Sequence, residues 1–342
     1  MIDPRMAAAT ADTIAAAQLG SGAIPHFPGG ITDPWNLIES AMALDVCGRA
    51  HEADRAYQWL RARQLADGSW YGAYLHDHPH DQTRDANFCA YVAAGVWFHY
   101  LSTSDERFLR SAWRMVESAI DFALSLQRSD GTISWARDAT GSAWPGALLT
   151  SNSCILMSLR AAIAISAHLG TERPDWELSA SWLRDAVGEP AAFEPKAAFA
   201  MDWYYPVLSG SLSVGAAPRA LVEGWDGFVI EGRGSRCVVD RPWVTSAETA
   251  ELAIACCAVG MEDEASLLLE WVDQLRWDDG SYWMGATHPD GVRWPRERTT
   301  WSGAAVVLAN GSIHGHGAAR GLFGGTALLP DVDLHAPVGD TL

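Results

Sequence analysis

One turn, written Q-x-x-x-G-x-(bulky), returns along the chain and limits what it can fold into. It occurs as Gln18 to Gly22 to Ile24, as Gln64 to Gly68 to Trp70, and as Gln127 to Gly131 to Ile133. A fourth copy carries Arg276 in place of the Gln, with Gly280 and Tyr282 after it. Three copies place Asp directly before the Gly, a strong turn pair. The Gly is free to take the positive φ that ends a helix and reverses the chain. Such recurrence marks a repeated supersecondary unit.

Each turn closes a segment of helical period, such as 51–64, 108–127 or 262–276. A polar and aromatic loop follows, then a second helix that is apolar nearly all round. These second helices begin near Pro34, Asp85, Ser151, Asp202, Thr245 and Thr299. A helix apolar on every side is a buried helix. Six buried helices alternating with six amphipathic ones predict an all-α (α/α)6 barrel, an inner ring wrapped by an outer one. The fourth and fifth units lack the turn and are extrapolated from the others. The barrel is expected to form a single domain over residues 1–312, with an irregular tail over 313–342.

Composition narrows the function. The chain of 342 residues carries 42 acidic against 24 basic side chains, a formal net charge of -18. Phosphate binding needs a basic footprint, so nucleic acid and anionic membrane surfaces are excluded as partners. No apolar run approaches the ~20 residues that span a bilayer. The opening MIDPRMAAATADTIAAA lacks the pattern of a secretory signal. Six cysteines with no C-x-x-C pair read as reduced core residues of a cytoplasmic protein. No cofactor is called for, and the oligomeric state cannot be read. The 17 tryptophans exceed what packing alone uses and point to an aromatic-lined cavity for a small-molecule substrate.

Arg55, Trp59, Leu60, Gln64, Gly68 and Trp70 resemble the "QW" repeat of squalene–hopene cyclases, with Ala56 at the family's Gly. Phe122 and Gln127 keep part of it, and Trp271 survives where the Gln is lost. The whole chain therefore resembles the prenyltransferase and squalene-cyclase-like α/α-toroid proteins. That resemblance implies an enzyme acting on an isoprenoid or other hydrophobic substrate. A second resemblance competes. Tyr100–Ile133, with Asp105, Phe108, Leu109, Trp113 and Ile120, is similar to a hairpin of the six-hairpin glycosidases. It implies sugar chemistry by paired carboxylates with Trp stacking platforms. A non-catalytic toroid is the third reading.

If the buried helices run parallel, their N-termini open on one mouth. The expected binding residues there are Asp33, Trp35, Asp85, Asn87, Asn152, Trp203, Tyr204, Arg241, Trp243 and Trp301. Asp33, Asp85, Ser151 and Thr245 also sit where N-caps sit, a role worth about 1 kcal/mol without any function. Four carboxylates are candidate catalysts: Asp202, Glu39, Glu248 and Glu297. Glu39 lies inside a buried helix, where an unpaired charge is costly. Asp202 opens the run MDWYY, whose aromatic rings would raise its pKa and suit it to donate a proton. Glu248 also fits a T-x-x-E capping box with Thr245. His76–Asp81, HDHPHD, invites a zinc reading, but its loop setting and Pro79 favour a solvated loop, and no metal is assigned. Asp-x-Asp-Asp, Asp-Asp-x-x-Asp, P-loop and dinucleotide glycine patterns are all missing, so neither class II cyclisation nor diphosphate ionisation follows from a motif.

Overall fold

The computed structural model describes residues 4–325 and residue 328. Six helices form the inner ring: α2 (Pro34–Val46), α4 (Ala86–Thr103), α6 (Leu149–Leu169), α8 (Ala200–Leu208), α10 (Ser246–Ala258) and α12 (Thr300–Ile313). Each packs on the next, and α12 packs back on α2, closing the ring. The outer ring is α1 (Pro4–Ala17), α3 (Ala50–Arg63), α5 (Glu106–Leu124), α7 (Pro174–Val187), α9 (Ala217–Phe228) and α11 (Glu262–Val272). The alternation predicted from apolar periodicity is thus present in every unit, including the two that lack the turn.

The recurring turn is a stitch between neighbouring outer helices. The Gln64 amide donates to its own turn at Gly68 O (2.9 Å) and across to Met115 O on α5 (2.9 Å). Gln18 does the same to Gly22 O and Glu52 O on α3, and Gln127 to Gly131 O and Ser179 O on α7. Gly68 (φ +88°) lies so close to α5 that a Cβ would stand 2.1 Å from Ser118 O, so the position needs both a left-handed backbone and no side chain. In the copy without Gln, Gly280 packs on Ala9 of α1, and Thr10 Oγ1 donates to Gly280 O (2.8 Å). The last turn therefore binds the first helix and closes the outer ring.

Small residues let the inner helices approach. At Gly95 of α4 a Cβ would lie 2.5 Å from Ile38 of α2. The ends of the barrel differ. Short connections join inner to outer helices at one end. The other end carries the long loops and four two-stranded antiparallel sheets, the hairpins β1 (Ala73–Leu75) with β2 (His78–Asp81) and β5 (Val229–Ile230) with β6 (Gly234–Ser235), and the pairings between successive loops of β3 (Arg84–Asp85) with β4 (Ala136–Arg137) and β7 (Trp243–Thr245) with β8 (Gly285–Thr287). Helix α13 (Gly317–Phe323) covers the closed end, where Phe323 and His316 pack on Phe98 of α4. It lies within the segment expected to be irregular; the rest of that tail, 326–327 and 329–342, falls outside the described residues.

Two sequence expectations need amendment. Helix α6 is 21 residues and apolar enough to cross a membrane by length alone. Its most apolar 18-residue stretch is 78% buried inside the ring, so its apolarity is that of a core helix. His76–Asp81 forms an exposed hairpin, reversed at His76 (φ 48°) and Asp77 (φ 65°) and anchored by Trp59 Nε1 donating to Asp77 (2.6 Å). No cluster of three or more metal-type side chains occurs among the described residues.

Candidate active site

The inner helices are parallel, so their N-termini meet at the looped end, and the mouth is built from their first turns. Its floor is Trp35, in the first turn of α2. The indole packs edge-on against Phe88 (5.6 Å) and Tyr91 (5.9 Å) of α4 and Tyr205 (6.0 Å) of α8. Helix α8 stands three places round the ring from α2, so a side chain touching both crosses the barrel axis.

Beneath the floor lie two buried carboxyls. Glu39 Oε1 accepts the Trp35 N–H (2.9 Å), and burial together with the neighbouring Asp33 pushes its pKa up to about 8. Glu251, one turn into α10, accepts from Tyr204 Oη and from Tyr205 Oη (3.2 Å). Burial, then Glu39 and Glu248, raise it well above the carboxylate range. Glu39 therefore holds its proton at neutral pH, and burial pushes Glu251 in the same direction. Glu251 was not singled out from the sequence, although a Glu within an all-apolar helix, the argument used for Glu39, also marks it.

Three carboxylates stand at the level of the floor or above it. Asp33 caps α2, accepting from Asn36 N (2.9 Å), Asn36 Nδ2 (2.7 Å) and His26 Nε2 (2.5 Å). His26 comes from the first loop and had no sequence signal. Asp85 caps α4 through one oxygen, which accepts from the N–H groups of Asn87 (2.8 Å) and Phe88 (3.1 Å). Withdrawal of this carboxyl from water, with Asp33 nearby, raises it to about 7. Glu248, in the first turn of α10, is buried and accepts from Thr245 Oγ1. Thr245 thereby spends its hydroxyl on the Glu side chain and makes no cap to its own helix, so the capping-box account of this pair does not hold. Helices α4 and α10 lie opposite one another in the ring, which puts Asp85 and Glu248 on facing walls.

Hydrogen-bonding capacity is left over at the same level. Asn87 is buried with both amide atoms unpartnered, and the Trp301 N–H at the start of α12 is buried without an acceptor. Unpaired buried polar groups cost free energy, and a polar ligand would satisfy them.

The other expected residues are placed elsewhere. Asp202 accepts from Thr150 Oγ1 (2.5 Å) and Thr150 N (3.3 Å), tying α8 to the first turn of α6. Ser151, expected as a cap, lies inside α6. Asn152 clamps Ile133 N and O, holding the third loop. Trp203 faces the outer ring, stacked on Phe228 at 5.1 Å and donating to Ala220 O. Tyr204 is buried on Glu251 beneath the floor. Arg241 is exposed beside Asp240. Trp243 stands on strand β7 against Trp294. Glu297 is exposed on a separate surface hollow of about 720 Å³, lined by Asp12, Phe27 and Trp283 among others.

Comparison with known proteins finds the same all-α toroid in solved structures. A solved wild-type glycosidase superposes with TM-score 0.73 at 15% identity, over 91% of this chain and 96% of that one. A glycosidase variant in complex with glucose gives 0.72 at 14%, with the same coverage. A D-mannose isomerase gives 0.67 at 12%, over 91% and 97%. These likenesses concern the fold. No protein-family model matches the chain. The sequence is 44% identical over 329 residues to the MMP endo-(1,4)-3-O-methyl-alpha-D-mannosidase of Mycolicibacterium hassiacum, covering 96% of this chain and 91% of that protein. The chain belongs to the family of that mannosidase.

This overturns the expectation of a prenyltransferase or terpene-cyclase-like enzyme, since the relative that shows the family of this chain is an endo-mannosidase. The physical reason is in the fold. The residues that resemble the cyclase repeat are the stitch between outer helices around Gln64 and Gly68, and they report the toroid rather than its chemistry.

Proposed function

We propose that the protein is a glycoside hydrolase that cleaves α-mannosidic links inside a chain of 3-O-methylated mannose. The observation that carries this is the 44% identity, along nearly the whole of both chains, to a mannosidase of that specificity. The chemistry of the mouth supports it. Inverting hydrolysis of a glycoside uses one carboxyl to protonate the leaving oxygen and another to activate water on the far side of the sugar.

Asp85, raised to about 7, retains a proton near neutrality and has an oxygen free of the helix cap; it is the general acid. Glu248, on the facing wall, takes the proton of the attacking water. The Asp33 carboxylate, fixed by His26 and Asn36, lies near Asp85 and stabilises the positive charge that develops on the sugar ring. Trp35 supplies an apolar floor against which a pyranose ring stacks, and Asn87 and Trp301 offer their unused groups to its hydroxyls. Glu39 serves beneath as a neutral hydrogen-bonding group of the floor, and Glu251 holds Tyr204 and Tyr205 there.

The test is turnover of α-1,4-linked 3-O-methylmannose oligosaccharides, followed by chromatography of the products. Release of shorter oligosaccharides by the wild type, and its loss in Glu248→Gln, is the expected result. An inert wild type would overturn the reading.

A further inference from the structure

Two pairs of tryptophans stand outside the site described above. The turns at Asp130-Gly131 and Asp279-Gly280 both run on to a Trp-Pro pair, Trp144-Pro145 and Trp294-Pro295, each Trp six residues before a Thr, Thr150 or Thr300. The backbone repeats as well. Trp144 N donates to Ala136 O (2.9 Å) and Trp294 N to Gly285 O (3.1 Å), beside the bridges Arg137–Ala143 and Ala286–Arg293.

In both places an outer indole is braced by a second. Trp135 lies 5.1 Å from Trp144, tilted by 37°. Trp243 lies 5.1 Å from Trp294, edge-on, and donates its N–H to Trp294 O (2.6 Å). At Gly285 a Cβ would stand 2.6 Å from the Trp243 indole nitrogen, so the backbone there is cut away to seat the ring. The outer indoles nonetheless remain exposed, Trp144 by 44% and Trp294 by 57%. Indoles usually reward burial, and two left in water by the same construction are a surface kept for a ligand. Trp144 precedes α6 and Trp294 precedes α12, helices three places apart in a ring of six. The two pairs therefore rise on opposite sides of the mouth.

We infer that the two pairs are sugar-stacking platforms that hold a single polysaccharide chain across the mouth, Trp144 on one side of the cleaved bond and Trp294 on the other. A pyranose has an apolar C–H face and a polar edge; an indole covers the first and leaves the second in water. A chain held at both ends presents an internal link to Asp85 and Glu248, and O-methyl groups add apolar surface for the rings. This rests on the glycosidase reading of the mouth.

The experiment compares kcat/KM on a hexasaccharide and on a disaccharide of α-1,4-linked 3-O-methylmannose, for wild type, Trp144→Ala, Trp294→Ala and the double variant. Both indoles are exposed, so the variants fold; circular dichroism melts check this. The ratio of hexasaccharide to disaccharide kcat/KM falls about tenfold in each single variant, a typical worth of one lost aromatic contact. It falls multiplicatively in the double variant, with the loss in KM. An active wild type whose ratio does not change in either variant overturns the platforms and leaves the glycosidase reading standing. A wild type inert on both sugars overturns that reading, and the platforms with it.

Discussion

Replacing Glu39 by Gln separates a scaffold role from a catalytic one. Gln keeps the shape and the acceptor for the Trp35 N–H, but it cannot ionise. The Glu39 carboxyl is raised from its ordinary 4.5 to about 8. Below pH 4.5 it is protonated in both the folded and the unfolded chain, and its contribution to stability is fully present. As pH rises, the unfolded chain releases the proton while the folded chain holds it, so stability falls until the folded carboxyl also ionises near 8. At 1.36 kcal/mol per unit, the loss between pH 5 and pH 8 is about 3 kcal/mol. Urea melts of wild type and Glu39→Gln at pH 5 and pH 8 measure it, because subtraction cancels the other titrating groups. The variant gains about 3 kcal/mol on the wild type over that interval and keeps kcat within a few-fold. Parallel pH dependence in the two proteins, or a hundredfold loss of kcat, would refute the placement of Glu39 as a neutral group under the floor.

Other consequences follow from the same geometry. Glu248→Gln lowers kcat about 10²–10⁴-fold with an unchanged melting profile, as loss of a general base does. Wild-type kcat/KM declines as pH rises through about 7, where Asp85 gives up its proton, and Asp85→Asn is slow with that limb abolished; a pH–rate profile shows both. Gln64→Ala removes the bonds to Gly68 O and Met115 O and costs about 1–2 kcal/mol in denaturant melts without altering kcat. Gly95→Ala drives a methyl into Ile38 at 2.5 Å and costs roughly 1–3 kcal/mol.

The toroid was legible because its signals are collective. Six helices apolar on all sides have one place to go, and the recurring turn gave the outer ring its ends. Its meaning came only from the structure: Gln18, Gln64 and Gln127 reach carbonyls on the next outer helix, a contact between units that no local pattern announces. The position of the mouth was legible, and the direction in which each side chain faces was less so. Asp33, Asp85 and Glu248 sit where topology put the mouth. Asp202 opens an inner helix as well, yet the structure spends its carboxylate on Thr150 of α6. Trp203 and Tyr204 are adjacent in sequence, but helical rotation sends one to the outer ring and the other to Glu251. Which way a residue in a first turn faces depends on the phase of its helix, which short segments such as α8 leave undetermined. His26 illustrates the opposite limit, a loop residue whose role exists only because the chain returns it to Asp33. The chemistry was misjudged for a related reason: the cyclase-like residues describe how outer helices are joined, and that joint is indifferent to what the barrel holds.

The central claim is that the mouth hydrolyses internal α-mannosidic bonds with Asp85 and Glu248 on facing walls. Incubating the protein with an α-1,4-linked 3-O-methylmannose polymer and following product length against time tests it most directly. The account predicts early appearance of mid-length fragments from the wild type and none from Glu248→Gln or Asp85→Asn. An unaltered polymer, or equal cleavage by wild type and both variants, would contradict it.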